Sequence, residues 1–241
     1  KLIRSDVNAE KAEFVYLHEA LNLEITVHMT FIKDADVIRQ YNTVKNVGEE
    51  EQVLTHISSM NIPGIGCDGE LPWDDENKFR IHYCLSTWQG EAQWRTITLE
   101  QAGIYSCSVH QNTNTFQVSS IGSWSTARYA PFIMFEDIET KQIWYAQIET
   151  SSAWHFEIGH KKQVPCMTGE MYMEADGADE NTSGWAKRLA PGETFETVPV
   201  AFGCTNGGLE EAVREMTKYR RNCLKPAPAW SGETPLMFND Y

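Results

Sequence analysis

From Leu21 to Phe31 the chain alternates apolar and polar residues without a break. Leu21, Leu23, Ile25, Val27, Met29 and Phe31 fall on one side; Asn22, Glu24, Thr26, His28 and Thr30 fall on the other. Successive side chains of a strand point to opposite faces, so this period of two predicts a long strand with one buried face and excludes a helix. Val37 to Lys45 and Gln52 to Met60 are rich in β-branched residues and flank Val47-Gly48-Glu49-Glu50, which predicts a hairpin closed by a short glycine-containing turn. Further strands are predicted at Phe79 to Thr87, Ala92 to Leu99, Phe116 to Ser120, Phe132 to Glu136, Ile143 to Glu149, Trp154 to Ile158, Tyr172 to Ala175 and Thr194 to Phe202. Gly, Pro, Asn or Asp bound each of them. Many short strands with turn signals between them point to packed antiparallel sheets, a mainly all-β fold.

One helix is predicted, Leu209 to Arg221. There Leu209, Ala212, Val213, Met216 and Tyr219 recur at helical spacing behind Asn206-Gly207-Gly208. The stripe must dock on something, and burying side chains such as Val213 and Met216 would contribute about 1.5–3 kcal/mol each. Pro226, Pro228, Gly232 and Pro235 then spell a stiff linker. In Pro235-Leu236-Met237-Phe238-Asn239-Asp240-Tyr241 an apolar run turns polar at its end. That is the pattern of a buried parallel strand, and barrel enzymes place their sites at the carboxyl ends of such strands. The chain is therefore expected to stop where a second domain begins, and to start after a truncation.

The 241 residues, 41% of them hydrophobic, suffice for one large packed domain. A net charge of -14 opposes phosphate backbones and anionic lipid headgroups, which argues against nucleic acid and membrane as partners. No apolar stretch approaches the roughly 18 residues of a membrane span. Cys67, Cys84, Cys107, Cys166, Cys204 and Cys223 are scattered, with no Cys-x-x-Cys pair, so they read as buried reduced thiols. A cytoplasmic location is the expectation.

Several features occur in a fixed order: Gly122 with Ser123 and Ser125 ahead of Pro131-Phe132; Leu189-Ala190-Pro191-Gly192-Glu193-Thr194-Phe195; the single helix; and the closing Phe238-Asn239-Asp240-Tyr241. Together they resemble the N-terminal domain of the α-galactosidases of glycoside hydrolase family 36, from about Val37 to the last residue. The resemblance implies a large antiparallel β-supersandwich, galactose-mutarotase-like, ahead of a TIM-type catalytic barrel. Residues 1–208 would be the sandwich, 209–234 the connecting helix and linker, and 235–241 the start of the barrel. Asn239, Asp240 and Tyr241 would correspond to the family's common Asn-Asn-Trp at the sugar pocket, where an aromatic ring packs on the apolar face of a galactosyl unit.

The family's catalytic pair is two aspartates, one of them in a Lys-Trp-Asp type segment that this chain lacks. Retaining hydrolysis needs two carboxyl groups about 5–5.5 Å apart across the scissile bond. The resemblance thus implies an accessory domain without catalytic residues or cofactor, inert alone. Its partners would be its own barrel, terminal α-galactosides and further copies in a homo-oligomer. The alternatives are a carbohydrate-binding module, acting by aromatic stacking, and a mutarotase-like epimerase, which would need a paired acid and base in the sandwich cleft.

His155-Phe156-Glu157-Ile158-Gly159-His160 is not His-Glu-x-x-His on a helix, and residues five apart on a strand face opposite ways, so no metal site is assigned to it. The acidic stretches Asp68 to Glu76 and Glu174 to Glu180 lack calcium-loop spacing and read as solvated loops. Ser108, Ser119 and Ser125 have no Gly-x-Ser-x-Gly context, which argues against a serine hydrolase. Most of the tryptophans are expected in the core or at a domain interface. Trp124, beside glycine and serines in a loop, is the candidate for sugar contact, and the family's oligomers imply that such a loop reaches a neighbouring subunit's pocket.

Overall fold

The structure, a computed structural model, describes residues 1–66, 78–104, 114–161, 170–223 and 238. In chain order its strands are β1 (Leu2–Val7), β2 (Lys11–His18), β3 (Leu23–Phe31), β4 (Ile38–Asn46), β5 (Gln52–Leu54), β6 (Ser58–Ile65), β7 (Phe79–Leu85) and β8 (Gln93–Thr98). They continue as β9 (Thr115–Ser120), β10 (Tyr129–Asp137), β11 (Gln142–Ile148), β12 (Trp154–Lys161), β13 (Glu170–Asp176), β14 (Lys187–Leu189), β15 (Thr194–Glu196) and β16 (Val200–Asn206). The helices are α1 (Glu180–Ser183) and α2 (Gly208–Cys223).

A large sheet runs in the order β1-β2-β3-β4-β16-β11-β10-β7-β8, with β15 also against β4. A smaller sheet runs β6-β13-β12-β9, and β14 pairs with β5. Every described ladder is antiparallel. The two larger sheets face each other across a core in which Phe79, Ile81, Ile133 and Phe135 meet Trp154, Phe156, Ile158, Met171, Met173 and Ala175. On the far side of the large sheet Ala212, Met216 and Tyr219 of α2 pack on Phe132, Met134, Ile143, Tyr145 and Ala201. β10 is thus buried on both faces, which is why Phe132 to Phe135 within it are a continuous apolar run. This is an all-β sandwich backed by one helix.

Three expectations about the elements need correction. The long alternating strand forms, but of its apolar face only Leu23 is buried; Ile25, Val27, Met29 and Phe31 are half-buried, and Leu21 precedes the strand, exposed. The reason is position: no residue of β1, β2 or β3 belongs to the core between the sheets. The hairpin between Val37 to Lys45 and Gln52 to Met60 does not form. β4 pairs with β3, β15 and β16, β5 with β14, and β6 crosses to the smaller sheet beside β13. Buried Asn46 shapes the connection: its amide donates to the Glu50 carbonyl at 2.7 Å and the Leu189 carbonyl at 2.9 Å, while its oxygen accepts from the Gly48 N–H at 2.9 Å. Finally, α2 turns Ala212, Glu215, Met216 and Tyr219 inward and leaves Leu209 and Val213 exposed at 38% and 46%, so Val213 supplies little burial.

The segment Thr194 to Phe202 divides into β15 and the start of β16 around Thr197-Val198-Pro199. β1 and β2 were not anticipated. Among the described thiols, all free, Cys84 is buried, Cys204 half-buried and Cys223 exposed, against the expectation of uniform burial. No helix among the described residues is long and apolar enough to cross a membrane. The predicted linker and barrel strand lie almost wholly outside the described residues.

Candidate functional site

The inward side chains of the smaller sheet fix what its outer face carries. With Trp154, Phe156 and Ile158 in the core, alternation turns His155 and Glu157 of β12 outward; with Met171, Met173 and Ala175 in the core, it turns Tyr172, Glu174 and Asp176 of β13 outward. The register sets Glu157 directly opposite Glu174 and His155 directly opposite Asp176. Facing like charges destabilise a sheet unless donors offset them. Here Glu157 accepts from the hydroxyls of Tyr172 and Thr115 and the amide of Gln117. Glu174 accepts from the Ser58 hydroxyl and, at 2.7 Å, from the Asn61 amide.

His56, just before β6, closes the network. Its Nε2 lies 2.7 Å from Asp176 Oδ2 and 3.2 Å from Glu174 Oε1. The hydrogen bond to Asp176, then that to Glu174, pushes the imidazole up to about 10, so it carries its proton at neutral pH. Burial works to raise the Glu174 carboxyl, but His56 and Ser58 outweigh it and hold Glu174 below the usual carboxylate range. An acid and base for epimerisation or glycoside cleavage should titrate near the working pH. These two are displaced away from it in opposite directions, which disfavours proton transfer by this pair.

Asp176 is 1% exposed, and Asp179, 4% exposed, caps α1 by accepting from the Thr182 N–H at 2.7 Å. Glu174 and Asp176 are therefore strand residues and Asp179 a buried cap, not members of a solvated loop. Sequence reasoning missed His56, Tyr172, Glu174, Asp176 and Asp179 as a group. The available signal was the alternation of Met171, Met173 and Ala175 with Tyr172, Glu174 and Asp176, which marks a strand with a polar outer face.

Beside this cluster opens a pocket of about 560 Å³ walled by Ile57, Ala153, Gly177, Ala178, Trp185 and Phe195, with Gly122 also on its lining. Ile57 follows His56 in the chain and Gly177 follows Asp176. The Trp185 and Phe195 rings stand 5.2 Å apart, tilted by 45°. Small-molecule pockets have this size and this mixture of apolar wall and few polar groups. Trp124 lies two residues beyond Gly122, 48% exposed, with its indole N–H donating to Thr126 Oγ1 at 3.0 Å. It does not line the pocket, and Trp88, at 70%, is more exposed. Trp154 is a core residue whose indole donates to the Ser125 carbonyl at 2.7 Å, bracing that loop. Asn239, Asp240 and Tyr241, and the acidic stretch Asp68 to Glu76, lie outside the described residues.

No protein-family profile matches this chain, and neither does any curated protein. Solved structures do. The glycoside hydrolase family 36 α-galactosidase AgaB from Geobacillus stearothermophilus superposes with a TM-score of 0.71 at 15% identity, over 94% of this chain and 30% of its own. A substituted AgaA from the same organism, in complex with stachyose, gives 0.69 at 18% identity, over 91% of this chain and 28% of its own. The α-galactosidase from Lactobacillus brevis gives 0.68 at 16% identity, over 91% and 27%. At these identities the likeness is one of fold: nearly all of this chain has the architecture of a part of these α-galactosidases, and it spans little more than a quarter of their length.

Proposed function

We propose that this chain is the non-catalytic N-terminal domain of an α-galactosidase-like retaining glycoside hydrolase acting on terminal α-galactosides. The carrying observation is the fold match over 91% of this chain and only 27% of an α-galactosidase. In this reading residues 1–208 form the accessory sandwich, 209–234 the connector and 235–241 the first barrel strand. The domain supports the barrel and a homo-oligomer in the cytoplasm. Asn239, Asp240 and Tyr241 line the sugar pocket, and the loop that carries Trp124 walls its entrance.

Two features support an accessory role. Glu157 and Glu174, the facing carboxylates of the outer sheet face, are both engaged by donors, and Glu174 is held below the usual carboxylate range, whereas a glycosidase acid needs a raised one. Expressed alone, the chain should not turn over a nitrophenyl α-galactoside; expressed with the coding sequence that follows Tyr241, it should, through two aspartates of the added part. Turnover by the chain alone that tracks its own substitutions would overturn the proposal.

The pocket walled by Trp185 and Phe195 favours a second reading, a carbohydrate-binding module. Calorimetry with galactose, melibiose and raffinose separates the two. Saturable binding by the isolated chain, lost in Trp185→Ala, marks a module; no binding marks an accessory domain.

A further inference from the structure

We propose that His155, Asp176 and Asp179 form a divalent-cation site, zinc by its donor set, that ties the N-terminus of α1 to the outer face of the smaller sheet. One nitrogen and two carboxylate oxygens from these residues lie within 4.8 Å of one another. The partner of His155 is thus its cross-strand neighbour Asp176.

The observation that asks for a ligand is Asp176 Oδ1. This oxygen belongs to a side chain 1% exposed and has no hydrogen-bond partner among the described residues. Its other oxygen is occupied by His56. Oδ1 faces His155 Nδ1 at 3.6 Å, too long for a hydrogen bond. Two ligands each about 2.0–2.2 Å from one tetrahedral zinc ion stand about 3.3–3.6 Å apart, so an ion fits between them. The opposite side of Asp176 is different: His56 sits at 2.7 Å, a direct hydrogen bond. His56 therefore orients the bridging carboxylate, as groups behind a metal ligand commonly do, while the Thr182 N–H and hydroxyl orient Asp179.

Charge points the same way. Three carboxylates, Glu174, Asp176 and Asp179, crowd this corner of the sheet, and a divalent ion offsets them. Binding displaces a proton from the imidazole nitrogen that ligates. One histidine nitrogen and two carboxylate oxygens make three of the four ligands that zinc takes.

The test uses the full chain stripped with chelator and titrated with zinc chloride in a calorimeter, followed by cobalt substitution. Expected are one equivalent bound per chain, a raised thermal midpoint, and a cobalt spectrum without thiolate charge transfer. Asp179→Asn keeps the helix cap, since Asn caps as well as Asp. It and His155→Gln should each weaken binding by at least about tenfold. Absence of stoichiometric binding, a cobalt–thiolate band, or full affinity in either variant would overturn the site. Should a variant fail to fold, the shift of His155 Nδ1 in nitrogen NMR of the native chain on adding zinc decides: movement supports the site and none removes it.

Discussion

Glu215, in the middle of α2, accepts the backbone N–H of Asp36 through Oε2 at 2.8 Å, across 179 residues of sequence. Its side chain is 3% exposed, and Lys218 holds the other oxygen. A carboxylate thus sits among the residues that dock the helix on the sheet and satisfies a loop amide.

Removing that carboxylate strands the Asp36 N–H, while Lys218, 45% exposed, is left to water. Glu215→Ala should cost about 1–3 kcal/mol, and Glu215→Gln, which keeps an acceptor, clearly less. Val213→Ala, on the exposed side of the same helix, should change stability by no more than about 0.5 kcal/mol. Urea unfolding of the three variants checks the order. Equal losses at Glu215→Ala and Val213→Ala would mean that α2 docks by its apolar stripe alone.

The same loop constrains Gly203 on β16. A Cβ there would lie 2.0 Å from the Asp36 carbonyl oxygen and 2.6 Å from the Tyr145 hydroxyl, which itself donates to that carbonyl at 2.6 Å. Gly203→Ala must push the loop off the sheet and should cost about 3 kcal/mol. Gly122→Ala meets nothing within 4 Å but must hold φ at +87°, so strain alone should cost about 1 kcal/mol. Thermal unfolding of the pair separates steric from conformational cost.

What the sequence discloses and what it hides follow from the range of each interaction. Phe132 to Glu136 is recognisable as a strand because burial on both faces leaves Phe132 to Phe135 uniformly apolar, and the observed β10 merely extends it to Tyr129–Asp137. Alternation between Leu21 and Phe31 reveals a strand but not what covers it, since period two records facing and not neighbours. For the same reason β4 and β6 look like a hairpin although they join different sheets. The polar cluster was hidden by separation: His56 and Asp176 are 120 residues apart, so no motif links them. Glu215 was hidden by chemistry, because a charged residue beside an apolar stripe reads as surface.

Asn46 decides where the chain leaves β4. With its amide donating to two carbonyls and its oxygen accepting from Gly48, Asn46→Ala should leave the buried Leu189 carbonyl unpaired and cost about 1–3 kcal/mol. Asn46→Asp should cost at least as much, because it turns a carboxylate oxygen toward the Glu50 and Leu189 carbonyls. If denaturant unfolding finds the aspartate variant the more stable of the two, the donor role assigned to this amide is wrong.

His82 supplies a pH dependence of defined sign. Its side chain is 6% exposed; Nε2–H donates to Glu136 Oε2 at 2.9 Å and Nδ1 accepts from Thr96 Oγ1 at 2.9 Å. Burial lowers its affinity for a proton more than Glu136 raises it, and Arg80 lowers it further, so the folded value lies below the ordinary 6.5. Above 6.5 both folded and unfolded chains carry a neutral ring and the group contributes no slope. As pH falls through 6.5 the unfolded chain takes up the proton first, so stability is lost until the folded value is passed. His82→Gln keeps a donor for Glu136 and cannot titrate. Measured by urea unfolding from about pH 7 to about pH 5, the advantage of the native chain over the variant should shrink steadily, whatever the other histidines contribute to both. Parallel curves would mean that the buried ring accepts its proton as readily folded as unfolded.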